Sequence, residues 1–227
     1  MKLLVLTLAA RAALVSQAAL SISAPDTNLH WPIITVKIDN EKQHVGTLVG
    51  PQLQDRITEA LDKACPPNLS GNICQEDPFI IDGIPTLNGN CLDANASLSL
   101  SVKGAKFPRP HNRLREALVA AVVGVFRVMS EDDKNCYWVT AGGSWLRFCN
   151  VGNYVEIGVR SDAGEDAFLC VGLEFEKATT AGNFDCVAII ERTARMLEEL
   201  TPQFAGSLHV MAVGHDYACI HNNVTSR

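Results

Sequence analysis

Aromatic residues are scarce in this chain, with Phe, Tyr and Trp making up 6% of its 227 residues. So few rings disfavour a glycosidase that grips sugar chains on aromatic platforms. Basic charge is short too, because 19 Lys and Arg face 25 Asp and Glu. An acid excess repels phosphate backbones and anionic membranes, so no nucleic-acid partner is expected. Long apolar runs are missing beyond the N-terminus. The greasiest later segment, Ala117 to Phe126, has about half of the ~20 residues that a membrane span needs. No two cysteines have C-x-x-C spacing, which argues against a zinc knuckle or a redox motif. The chain also lacks G-x-S-x-G, H-E-x-x-H, G-x-x-x-x-G-K and G-x-G-x-x-G, and with them the large enzyme families that those motifs mark. Gly142-Gly143-Ser144-Trp145 reads as a hairpin turn. No metal or cofactor is expected.

The N-terminus holds the first positive signal. Lys2 precedes an apolar run that is broken once by Arg11 and ends in small residues. This is the layout of a secretory leader. Ser16-Gln17-Ala18 fits the small-x-small cleavage rule and Ile22-Ser23-Ala24 fits less well, so residues 1–24 are assigned to a signal peptide and short leader. A mitochondrial presequence or a membrane anchor are the alternatives. Loss of Lys2 and Arg11 leaves 17 of the 19 basic residues against 25 acidic ones, a formal charge of −8. All eight cysteines, Cys65, Cys74, Cys91, Cys136, Cys149, Cys170, Cys186 and Cys219, lie after the leader. An even number in an exported chain reads as a disulfide set, of about 105 possible pairings. Sequons at Asn68, Asn95 and Asn223 agree with export and predict a glycoprotein.

Periodicity predicts the elements. Ile34, Val36 and Ile38 alternate with polar residues as in a half-buried strand, and so do Leu98, Leu100 and Val102. Pro51 opens a helix with Leu53, Ile57, Leu61 and Cys65 on its inner stripe. Asn112 opens a second helix that is apolar on most sides, and Asp185 caps a third that Pro202 is expected to end. Strands are predicted at 79–81, 137–140, 145–149, 154–160 and 169–176, with a closing strand over 208–212. The fold class is α+β. Two α/β sandwich units of split βαββαβ type are expected, a first at 25–140 and a related, more β-rich second at 141–227. One continuous sheet carrying three helices is the alternative.

One polar set is the most suggestive of catalysis. Glu156 and Arg160 lie four apart on a strand and so share its face with Tyr154. With His209 or His215 they would supply a base, a cation and a second acid-base group for RNA cleavage. Tyr154-Val155-Glu156 on a strand faintly resembles the small secreted fungal ribonucleases. Glu174 and Glu176 also share a strand face, as paired carboxylates do in glycoside hydrolysis.

The stretch Cys170-Val171-Gly172-Leu173-Glu174-Phe175-Glu176, followed by Thr179-Thr180 and by Asp185-Cys186 at a helix start, resembles a pattern in secreted fungal necrosis-inducing effectors. Strand-helix order and cysteine number are similar to those of the virally encoded killer toxins of smut fungi. The resemblance implies a secreted, non-enzymatic protein that acts on a host cell or a competing microbe. The expected function is therefore that of a cysteine-rich effector or toxin-like protein binding an extracellular or host cell-surface target. A small secreted nuclease is the alternative.

Overall fold

A computed structural model describes residues 31–67, 74–88, 91–107, 112–160, 167–177 and 181–220. The leader at 1–24 and the sequons at Asn68 and Asn223 lie outside the described residues, and Asn95 is an exposed strand residue. The fold is mixed α and β. Its strands are β1 (Ile33–Asp39), β2 (Lys42–His44), β3 (Phe79–Asn88), β4 (Cys91–Lys106), β5 (Cys136–Ala141), β6 (Ser144–Gly152), β7 (Tyr154–Arg160), β8 (Ala167–Phe175) and β9 (Gly214–Ile220). Its helices are α1 (Pro51–Ala64), α2 (Asn112–Glu131) and α3 (Cys186–Leu208).

Six strands form one sheet in the order β3-β4-β8-β7-β1-β9, and β2-β6-β5 form a smaller one. Pairing in the large sheet is antiparallel except between β1 and β9. Alternation decides its faces. Val155, Ile157 and Val159 of β7 and Leu169, Val171 and Leu173 of β8 are buried on the side where α2 packs. Removing each such side chain from water stabilises the fold by about 1.5–3 kcal/mol. Helix α2 is the middle of the helix layer and touches α1, α3 and the sheet, which explains its apolar surround.

The two expected sandwich units are not separate bodies. Residues 140 and 141 fall inside the β5–β6 hairpin, and β1 and β4 sit beside β7 and β8 in one sheet. The described residues, from Trp31 to Ile220, fall in one unit. The order strand, helix, strand, strand, helix, strand does occur along the chain, but long-range pairing distributes those strands over two sheets.

Three elements differ from expectation. Strand β3 continues through Asp82-Gly83 to Asn88. It is an edge strand with register shifts between Asp82 and Thr86, and an edge tolerates both a bulged glycine at φ 77° and the missing N–H of Pro85. Helix α3 likewise runs through Pro202 to Leu208. Fully buried Phe204 anchors its last turns, and His209 ends it in the left-handed conformation. No strand forms over 208–212; the closing strand is β9, laid parallel to β1.

Six of the eight cysteines pair, as Cys65–Cys74, Cys136–Cys149 and Cys186–Cys219. Cys91 and Cys170 carry free thiols, so the expected set of four bridges is reduced to three. The reason is position: Cys91 is exposed at the start of β4, whereas Cys170 is buried in the middle of β8. Bridge Cys136–Cys149 crosses the expected boundary at 140 and joins directly opposed residues of one hairpin.

Candidate functional site

The sheet face turned away from the helices carries Tyr154, Glu156 and Arg160 of the set singled out by sequence. Lys37, Glu156 and Cys170 form a row across β1, β7 and β8. Lys37 Nζ donates to Glu156 Oε1 at 2.7 Å, and Tyr154 Oη donates to Glu156 Oε2 at 2.8 Å. Burial pushes the Glu156 carboxyl up, but Lys37, Tyr154 and Cys170 more than offset it and hold the group below its ordinary range. Burial, then Cys170 and Glu156, push the Tyr154 phenol well up. A carboxylate whose oxygens already accept from an ammonium and a phenol is a weak proton acceptor. The row is a satisfied polar network.

The expected catalytic trio does not assemble. Arg160 shares the face of Glu156, but four residues of extended chain separate their Cα atoms by about 13 Å. His215 lies on the opposite face, where Nε2 is 3.3 Å from Thr201 Oγ1 of α3. His209 is the C-cap of α3 and belongs to no strand. The strand expected to carry His209 toward Glu156 does not exist. Glu174 and Glu176 do not pair as expected either, because Glu176 lies beyond the end of β8 and accepts from Ser97 Oγ at 2.5 Å.

The structure assembles a different site, between the small sheet and the far end of the β3–β4 hairpin. It is a cavity of about 450 Å³ lined by His44, Thr86, Leu87, Asp93, Tyr137, Val139, Phe148, Phe175, Lys177 and Ala181. That volume lies within the range of small-molecule sites, which are mostly apolar with a few placed polar groups. Direct register of Tyr137 with Phe148, and of His44 with Asn150, brings three rings onto one face of β2-β6-β5. His44 and Phe148 are 5.5 Å apart at 9°, Tyr137 and Phe148 6.0 Å at 24°, and His44 and Tyr137 6.3 Å at 32°. Phe148 stacks against both of the others, and the three rings make an aromatic floor. Phe175 stands edge-on to His44 at 5.2 Å and 74°.

His44 is buried and has a defined tautomer. Asn150 Nδ2 donates to the carbonyls of Ala181 and Asn183, each at 3.2 Å. Its Oδ1 therefore faces His44 Nδ1, at 3.4 Å, and Nδ1 carries the proton. Burial lowers the imidazole below its ordinary range; the Asn150 bond opposes this and Lys42 adds to it. Nε2 is left as a hydrogen-bond acceptor with no partner among the described residues. Burial also raises the Tyr137 phenol, which stays protonated.

Sequence reasoning misses this cleft, because its parts come from β2, β5, β6, β8 and the β3–β4 hairpin and share no spacing. The one local signal is Tyr137 and Phe148 flanking Cys136 and Cys149, which become cross-strand neighbours once the hairpin closes. Among the described residues, no group of His, Cys, Asp and Glu is arranged to hold a metal ion and no helix is long and apolar enough to cross a membrane. The chain matches no protein-family model, no curated protein and no solved structure.

Proposed function

We propose that this chain is a secreted, disulfide-stabilised effector or toxin-like protein that acts by binding an extracellular or host cell-surface target. One observation carries the binding reading: a cleft of about 450 Å³ with an aromatic floor and an oriented imidazole acceptor lies between the two sheets. Export is supported by the apolar leader at residues 1–24 and by three intramolecular bridges, which persist in oxidising compartments. Fungal origin and glycosylation at Asn68, Asn95 and Asn223 belong to the same reading. The nuclease alternative loses support, since His215 and Glu156 occupy opposite faces of the sheet.

Two measurements test the reading. Expressed in a secretory host, the full chain is expected in the medium with a new N-terminus near Ala18 or Ala24. Fluorescently labelled protein is then expected to bind intact cells or extracellular matrix of a sensitive plant or microbe saturably, with competition by unlabelled protein. Retention inside the host with the leader intact, or only linear uptake without competition, refutes it.

A further inference from the structure

We infer that the cleft between the small sheet and the β3–β4 hairpin is a binding site for a planar, uncharged aromatic molecule that carries an N–H or O–H donor, received by Nε2 of His44. This inference rests on the binding reading above and names the ligand class.

The floor selects a flat ring. Phe148 stacks against both His44 and Tyr137, with interplanar angles of 9° and 24°, and His44 and Tyr137 are tilted by 32°, so the three rings form one aromatic cluster that lines the cavity. An offset-stacked aromatic ligand gains dispersion and quadrupole contacts from such a surface. Leu87, Val139 and Phe175 add apolar lining. A pyranose would desolvate several hydroxyls against these walls, whereas a planar aromatic ring desolvates at most one or two polar groups.

The acceptor selects the donor. Asn150 occupies Nδ1 of His44, and Asn150 is itself held by two backbone carbonyls. Imidazole has two nitrogens, so the second is the acceptor in this tautomer. A ligand N–H or O–H satisfies this acceptor, which an isosteric ligand without the donor would cover and leave unpaired, and sites built on that asymmetry discriminate strongly.

The rim selects neutrality. Among the described residues, Asp93 and Lys177, of opposite sign, are the carboxylate and ammonium side chains lining the cavity. Lys177 already has Glu176 Oε1 at 3.6 Å, and Asp93 Oδ1 accepts from the backbone of Asn95 at 3.0 Å. A net charge on the ligand would be stripped of water without a dedicated partner.

Indole and benzofuran provide the test, because they share shape and differ in the N–H. Titrated into the full oxidised protein and followed by amide NMR, indole is expected to shift signals in 43–45, 136–139 and 147–150 saturably, with a dissociation constant of roughly 10–1000 µM for a ligand of its size. Benzofuran is expected to bind at least about tenfold more weakly. His44→Phe keeps the ring floor and removes the acceptor, so the two ligands should then bind alike. If His44→Phe fails to fold, the comparison in the native protein still decides. Equal binding of indole and benzofuran to the native protein, no saturable shift at the cleft, or stronger shifts there from N-acetylglucosamine or from indole-3-acetate overturns the inference. Saturable cell binding alongside a silent cleft would overturn the ligand class alone, and loss of both would also remove the binding reading.

Discussion

Gly182 lies against Asn150: a methyl group on its Cα would sit 2.6 Å from the Asn150 amide nitrogen and would also meet the Tyr137 ring. Gly182 has φ 66°, a conformation that side chains with a Cβ rarely adopt. Gly182→Ala therefore strains the backbone and pushes on the residue that orients His44. The expected cost is about 1–3 kcal/mol in urea unfolding, with chemical-shift changes concentrated at His44, Tyr137 and Asn150. Gly206→Ala has open space around its Cβ and sits within α3, so it serves as the control. Equal effects of the two substitutions would contradict the packing of Gly182 against Asn150.

The free thiols lend themselves to a direct count. Cys91 is exposed, whereas burial raises the Cys170 thiol, with Tyr154 opposing and Glu156 adding to the shift. Thiolate is the reactive form. A chromogenic disulfide reagent should titrate one thiol rapidly in the native protein and a second only in denaturant. Cys91→Ser should abolish the rapid reaction. A count of zero in denaturant would mean that Cys91 and Cys170 are bridged, and would rule out a protein with three disulfides and two thiols.

Bridge Cys186–Cys219 closes a loop of sequence separation 33, and Cys65–Cys74 one of 9. Chain entropy makes the longer closure worth about 1 kcal/mol more. The double substitution Cys186→Ser with Cys219→Ser should accordingly lower the unfolding free energy more than Cys65→Ser with Cys74→Ser. It also frees β9, an edge strand, from α3. Hydrogen exchange along Gly214–Ile220 should accelerate in the first variant and not in the second.

Stability should decline on mild acidification. Burial holds His44 below its ordinary value near 6.5, with Asn150 opposing and Lys42 adding; burial does the same to His215, with Glu198 opposing. Once pH falls below about 6.5, the unfolded chain takes up protons that the folded histidines refuse, so unfolding becomes easier. Glu156 acts in a lower window, because its folded carboxyl is depressed and its contribution is lost only as pH falls below about 4.5. The urea midpoint is expected to be lower at pH 5.5 than at pH 7.5, with a shallower dependence in His44→Phe. A midpoint that rises on going to pH 5.5 would contradict the buried, neutral imidazoles.

Legibility tracks the range of the interaction. Helix α3 begins where Asp185 announces it, because the cap is local: its side chain accepts from Ala188 N at 3.1 Å. The inner stripe of α1 is buried at Leu53, Ile57 and Leu61, as a four-residue repeat requires. The end of α3 escapes a local reading because Phe204, buried by tertiary contacts, outweighs the local penalty of Pro202. The trio of Glu156, Arg160 and a histidine fails for a related reason. Alternation along one strand predicts a shared face, but it cannot say which face of the sheet a distant strand will turn toward it.

The chain's own pattern therefore determined that strands and helices alternate, that α2 is surrounded, and that cysteines would bridge. Those properties follow from period, capping and composition, which act over a few residues. Only the tertiary structure decided which six cysteines meet, that β1 and β4 flank β7 and β8 in one sheet, and that His44, Tyr137, Phe148 and Phe175 close on a single cleft. These outcomes depend on strand order and register, and pairings between residues a hundred positions apart leave no periodic trace in the residues that make them.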